Sequence, residues 1–123
     1  MADLSGKVAI ITGAGRLRGI GRAAAVALAE DGADIVITGT GRSPDTFPDD
    51  EKAIGWKDIE STAEQVRRVG RECLPLICDV SESKDVNSVV EQTIDRFGRV
   101  DILVNNAAFA RAEDRVPVVE MDD

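Results

Sequence analysis

Four glycines, set between an apolar run and an alanine-rich stretch, are the feature of this sequence best suited to chemistry. Residues 7–21 read K-V-A-I-I-T-G-A-G-R-L-R-G-I-G, and R-A-A-A-V-A-L-A-E-D-G follows. Val8, Ala9, Ile10 and Ile11 make a buried strand, Gly13, Gly15, Gly19 and Gly21 a turn, and the alanines a helix stopped by Gly32. That order makes a phosphate site. Glycines let the backbone approach a pyrophosphate, and the unpaired amides of the first helical turn, with the helix dipole behind them, supply a positive field. The same glycines would also serve as a tight packing turn with no ligand, so the rest of the chain has to decide.

Other polar residues fall where such a ligand would lie. Asp79 and Val80 follow the third apolar run, and Asn105 and Asn106 end the fourth. Arg16, Arg18, Arg22 and Arg42 can form a local basic pocket, although the net charge of −8 argues against a general nucleic-acid or anionic-membrane binder. No apolar run approaches the ~20 residues of a membrane span, and M-A-D-L-S-G-K does not resemble a secretion signal. Cys73 and Cys78 share one extended segment at an odd separation. They should therefore point to opposite faces about 16 Å apart, beyond disulfide reach. Free thiols packed in a core fit a reducing cytoplasm. With no histidine in the chain, two such cysteines are a poor metal site.

The elements that position these residues alternate. A chain of 123 residues with 43% hydrophobic content is one domain's worth, or part of a larger one. Strands are expected at about residues 7–12, 33–38, 72–78 and 100–106, and helices at about 20–31, 58–69 and from Ser81 or Ser83, either as N-cap, to 97. The helix over 58–69 presents Ile59, Ala63, Val66 and Val69 on one face. The last helix carries a stripe of Val86, Val89, Val90, Ile94 and Phe97, read as core packing. Residues 39–57 are too long for an ordinary connection. They are either a solvated surface loop or a flap over the ligand, anchored by Phe47 or Trp56. E-M-D-D at 120–123 reads as the start of a further helix.

Alternating strands and helices imply an α/β fold, a Rossmann-type parallel sheet with right-handed crossovers and helices on both faces. Pro75 cannot donate a ladder hydrogen bond and puts the third strand at an edge. The expected strand order is then 3-2-1-4. The ligand crevice opens between strands 1 and 4, where the order reverses.

On these residues the chain resembles the short-chain dehydrogenases/reductases, over essentially its whole length but only the first half of a typical member. Four pieces in order carry the likeness: Thr12-Gly13…Gly19-Ile20-Gly21, Asp79-Val80, Asp101-Ile102-Leu103-Val104 and Asn105-Asn106-Ala107-Ala108. The family's loop reads T-G-x-x-x-G-x-G. Here five residues separate Gly13 from Gly19, so that Leu17 and Arg18 form a two-residue bulge or Gly15 takes the first glycine's place. The family's N-N-A-G is N-N-A-A here. The resemblance implies a nicotinamide dinucleotide. Its pyrophosphate would lie on Gly13, Gly19 and Gly21, with Ile20 bordering the nicotinamide. Asp79 would accept from the adenine amino group with Val80 alongside, or alternatively cap the following helix. Asn105 and Ala107 would lie against the adenosine ribose.

NAD binding in such a fold uses an acid at the end of strand 2. This chain has Gly39, Thr40, Gly41 and Arg42 there. Arg42, with Arg16 or Arg18, suits a 2′-phosphate, so NADP is expected ahead of NAD, with Asp45 able to reverse that by folding back. Family catalysis needs a tyrosine and a lysine four residues later, and this chain has no tyrosine. The expectation is the N-terminal dinucleotide-binding half of an oxidoreductase acting on a carbonyl or alcohol, with the catalytic half absent and no hydride transfer by this chain alone. By resemblance the complete enzyme is a homodimer or homotetramer. The rival readings are a self-standing nucleotide-binding or regulatory module, and a structural subunit that completes its sheet on a partner.

Overall fold

The computed structural model describes residues 3–107. Within them the chain runs β1 (Val8–Ile11), α1 (Ile20–Glu30), β2 (Asp34–Gly39), a 3-10 turn (Pro44–Thr46), α2 (Asp49–Ala53), α3 (Ile59–Arg68), β3 (Cys73–Ile77), α4 (Ser83–Phe97) and β4 (Ile102–Val104). All four strands are parallel, in the order β3-β2-β1-β4, as expected from the alternation and from Pro75. That proline lies opposite Ile37 on the edge strand.

β1 is buried along its whole length because both faces of the sheet are covered. On one face Ala9, Ile11, Ile35 and Ile37 pack against Ala25 and Ala29 of α1 and Ile59, Ala63 and Val66 of α3. On the other, Val8, Ile10 and Val36 pack against Val89 of α4. Small alanines on α1 let that helix lie close to the sheet. Cys73 belongs to the first cluster and Cys78 to the second, so the two free thiols do sit on opposite faces. Burial pushes the Cys73 thiol up to about 12, and Cys78 also upward, which leaves both protonated and inert.

Four expectations are corrected. The stripe on α4 is only partly core: Val89 is buried and Phe97 packs beside it, while Val86, Val90 and Ile94 are exposed. The described sheet face is too narrow to cover the whole apolar arc. Val69, at the end of α3, is likewise exposed. The N-cap of α4 is Glu82, without a side-chain cap, because Ser81 is held by the carboxylate of Asp79 instead. Finally, residues 39–57 are not a solvated loop: they hold the 3-10 turn and α2, and bury Phe47, Glu51 and Trp56. Ala108 and the helix expected at 120–123 lie outside the described residues.

β4 pairs with β1 on one side, and Leu103 on it is 64% exposed. At its amino end Asp101 clamps β1: its backbone N–H donates to Val8 O at 2.9 Å and its carboxylate accepts the Val8 amide at 2.9 Å.

Candidate functional site

The glycine loop begins where β1 ends. Gly13 has φ +68, and a Cβ there would lie 2.9 Å from the Ala107 Cα, so the position needs glycine for both conformation and space. Ala14 then donates its amide to Thr38 O at 2.9 Å, tying the loop to β2. Leu17 and Arg18 form the tip of a turn closed by Gly19 N–H on Arg16 O at 3.1 Å. Gly19 caps α1 with no side chain, and the first turn of α1 has no acid. The amides at that end therefore have no carboxylate in their own first turn competing for them.

The facing wall is the end of β4. The Thr12 hydroxyl donates to Asn105 Oδ1 at 3.3 Å and accepts the amides of Asn106 and Ala107 at 3.0 and 3.1 Å. Asn106 donates its side-chain amide to Gly13 O at 3.0 Å. Between the walls lies a cleft of about 350 Å3, floored by Thr38, Gly39 and Thr40 and closed at the far end by Asp79 and Val80. This volume falls in the range of small-molecule sites.

Of the residues singled out in the sequence, Gly13, Arg16, Gly19, Arg42, Asp79, Val80 and Ala107 line this cleft. Four do not. Ile20 is 75% exposed at the head of α1. Gly21 is buried, and a Cβ on it would lie 2.6 Å from Gly13 O. Arg18 turns away to pair with Asp50 at 2.5 Å. Asn105 serves Thr12 from the outer side. Gly15 of the glycine loop and Asn106 at the end of the fourth strand line the cleft as well, and so does Asp58, which was not singled out. Asp58 had no signal in the sequence, because it returns to the sheet through the long insertion.

That insertion braces the glycine loop. Trp56 donates its indole N–H to Gly15 O at 2.7 Å, and Thr62 of α3 donates its hydroxyl to Ala14 O at 2.7 Å. Glu51 accepts the Leu17 amide at 2.9 Å and, through its other oxygen, Arg42 at 3.0 Å. Arg42 lies over the Phe47 ring, 4.5 Å from its centroid, and donates through Nε and Nη2 to Asp58 Oδ1 at 2.9 and 2.6 Å. Phe47 and Trp56 thus anchor the segment, through Arg42 and the Gly15 carbonyl. Asp79 Oδ1 accepts both the amide and the hydroxyl of Ser81 at 2.9 and 2.6 Å, and those hydrogen bonds hold its carboxyl below the usual carboxylate range. Its backbone amide donates to Asp85 at 3.0 Å. The side chain takes part in the turn into α4 and still borders the cleft.

A family model described as short chain dehydrogenase matches residues 7–123. The chain belongs to the short-chain dehydrogenase family. Among its relatives in this family, hydroxysteroid dehydrogenase-like protein 2 of Rattus norvegicus is 43% identical over 107 residues, covering 85% of this chain and 18% of that protein. The Bacillus subtilis oxidoreductase YhdF is 41% identical over 113 residues, covering 92% and 34%. Carveol dehydrogenase from Mycobacterium avium, solved in complex with NAD, superposes with a TM-score of 0.72 at 30% identity, over 100% of this chain and 42% of that one. The chain thus spans less than half the length of these short-chain dehydrogenases. No helix among its described residues is long and apolar enough to cross a membrane.

Proposed function

We propose that this chain is the dinucleotide-binding half of an NAD(P)-dependent oxidoreductase that moves a hydride between a nicotinamide cofactor and a carbonyl or alcohol. The observation that carries the reading is the uncapped start of α1 opening on a cleft whose opposite end is Asp79 and Val80. The cleft fits such a ligand: a side chain at Gly13 would fill the space between its walls. When bound, the cofactor supplies the hydride chemistry. The chain's own residues bind and orient. Gly13, Gly19 and the α1 amides hold the pyrophosphate, Asp79 takes a donor of the adenine, and Ala107 borders the ribose. Gly21 and Asn105 act behind this layer, keeping α1 and the Thr12 junction in place, and Ile20 borders the nicotinamide side.

NADP, the expectation from the arginines, is supported by Arg16, which lines the cleft with no ion pair among the described residues. Arg42 and Arg18 are engaged by carboxylates. Against NADP stands the carboxylate of Asp58 in the cleft, which favours NAD. Proton transfer to or from the substrate oxygen needs a tyrosine–lysine pair that this chain does not contain. Oligomer formation and a cytoplasmic setting belong to the same proposal; two buried free thiols fit the latter.

Calorimetric titration of the chain with NAD and NADP, beside an assay for carbonyl reduction, tests the proposal. Saturable binding of either dinucleotide without turnover is expected. Absence of binding to both would overturn the reading.

A further inference from the structure

We propose that Asp58 accepts the 2′-hydroxyl of the adenosine ribose, and that the Arg42–Glu51–Asp58 group makes the cleft select NAD over NADP. The proposal rests on the dinucleotide reading above. In a doubly wound sheet the adenosine ribose lies over the carboxyl end of the second strand, where an acid marks NAD binding. β2 ends in Gly39 with no acid directly after it. Asp58 fills that place from another part of the chain. A Cβ built on Gly15 would lie 2.2 Å from its Oδ1 and 2.9 Å from its Oδ2, and one on Gly39 would lie 3.5 Å from Oδ2. The carboxylate therefore stands between the glycine loop and the end of β2. Asp45, on the 3-10 turn, is exposed and does not line the cleft.

Three observations make Asp58 more than a packing partner. Both contacts from Arg42 fall on Oδ1, and among the described residues no donor reaches Oδ2. Asp58 is also the one non-glycine residue with positive φ among them, at φ 57 and ψ −132. Strain of that kind persists where the surroundings fix a side chain in place. Lastly, Arg42 has no group to offer a 2′-phosphate. Its Nε and Nη2 are taken by Asp58 and Glu51, and Nη1 is buried without a hydrogen bond. Two carboxylates around one guanidinium leave the subsite net negative. A hydroxyl is accepted there and a phosphate dianion is repelled. Arg16 opposes this from an exposed position, where solvent screens its charge.

Calorimetry with NAD, NADP and an NAD analogue lacking the adenosine 2′-hydroxyl tests the assignment. Losing a hydrogen bond to a charged acceptor corresponds to roughly tenfold or more in affinity. NAD is expected to bind about tenfold or more tighter than both NADP and the deoxy analogue, and Asp58→Asn to shrink both gaps. NADP binding as well as NAD would overturn the assignment while leaving the dinucleotide reading intact. So would a deoxy analogue that binds like NAD, a comparison that needs no variant to fold. Unchanged ratios in Asp58→Asn would do the same. Failure of all three ligands to bind would instead overturn the dinucleotide reading on which the assignment rests.

Discussion

Trp56 donates its indole N–H to the carbonyl oxygen of Gly15 across 2.7 Å. That bond joins the glycine loop, whose spacing departs from the family's pattern, to the long segment after β2. The lengthened glycine loop presents a carbonyl at Gly15 and an amide at Leu17 that need partners. The long segment after β2 supplies them, through Trp56 and Glu51.

Trp56→Phe keeps an aromatic ring but removes the donor. Leaving the buried Gly15 carbonyl with only the long contact from Arg42 Nη2 at 3.5 Å should cost about 1 kcal/mol of folding stability. Amide hydrogen exchange should also speed up over residues 14–18. Urea denaturation and exchange mass spectrometry check the two parts, and unchanged exchange in the loop would show that the indole N–H does not hold it.

Glu51 is 2% exposed and serves Leu17 and Arg42 with separate oxygens. Glu51→Ala leaves a buried guanidinium short of a partner and an amide bare, at a cost of about 3 kcal/mol or more. Glu51→Gln keeps an acceptor for Leu17 and should lose less. Equal midpoint shifts for the two variants in urea would contradict this division of labour.

Gly21→Ala tests how closely α1 meets the end of β1. The added Cβ would lie 2.6 Å from Gly13 O and 3.1 Å from the Ala14 Cα, both backbone atoms that cannot rotate aside. Overpacking of this kind costs about 1–3 kcal/mol. Because the displaced backbone is the glycine loop, to which the proposed function assigns the pyrophosphate, dinucleotide affinity should fall with stability. Calorimetry and thermal denaturation measure the pair, and a stable variant with full affinity would show that the helix slides freely.

The acid limb of stability should belong partly to Asp101 and Asp79. The Arg99 guanidinium, then the Val8 amide, hold the Asp101 carboxyl below its ordinary value of 3.8, and Ser81 does the same for Asp79. A carboxyl whose folded pKa is depressed contributes stability that is fully present above the unfolded value. The contribution is lost as pH falls through the folded one. Denaturation midpoints should therefore be flat in these two groups above about pH 5 and should decline below pH 4. Asp101→Asn should flatten part of that decline, and an identical acid limb in the variant would remove Asp101 from the account.

The sheet was legible in the sequence for particular reasons. Unbroken apolar runs such as Val8–Ile11 signal strands buried on both faces, and Pro75 marks an edge, so the strand order followed. The glycine loop and Asp79 were legible because each follows a strand end, and Ala107 was legible through the family resemblance. Asp58 and Glu51 were not. They reach the glycine loop and Arg42 by tertiary folding of a segment with no hydrophobic period, and Arg42 reads as a free cation until its carboxylates are seen. Ser81 misled in a local way: it was an apt helix cap, but the adjacent Asp79 competed for its amide and hydroxyl. Asn105 and Asn106 have the same chemistry one residue apart. Only the pleat decides that Asn106 turns to Gly13 and lines the cleft while Asn105 stays outside.

The Thr12 hydroxyl takes all its partners from residues 105–107, and this has a consequence for the order of events on the ribosome. A nascent chain that has emerged as far as β3 already holds the glycine loop, its brace and three pairable strands. It still has no second wall for the cleft, since β4 and the amides behind it are made after the other three strands. Nucleotide affinity should therefore be acquired late in synthesis. Free dinucleotide would then act by locking an already collapsed intermediate, rather than by seeding its collapse.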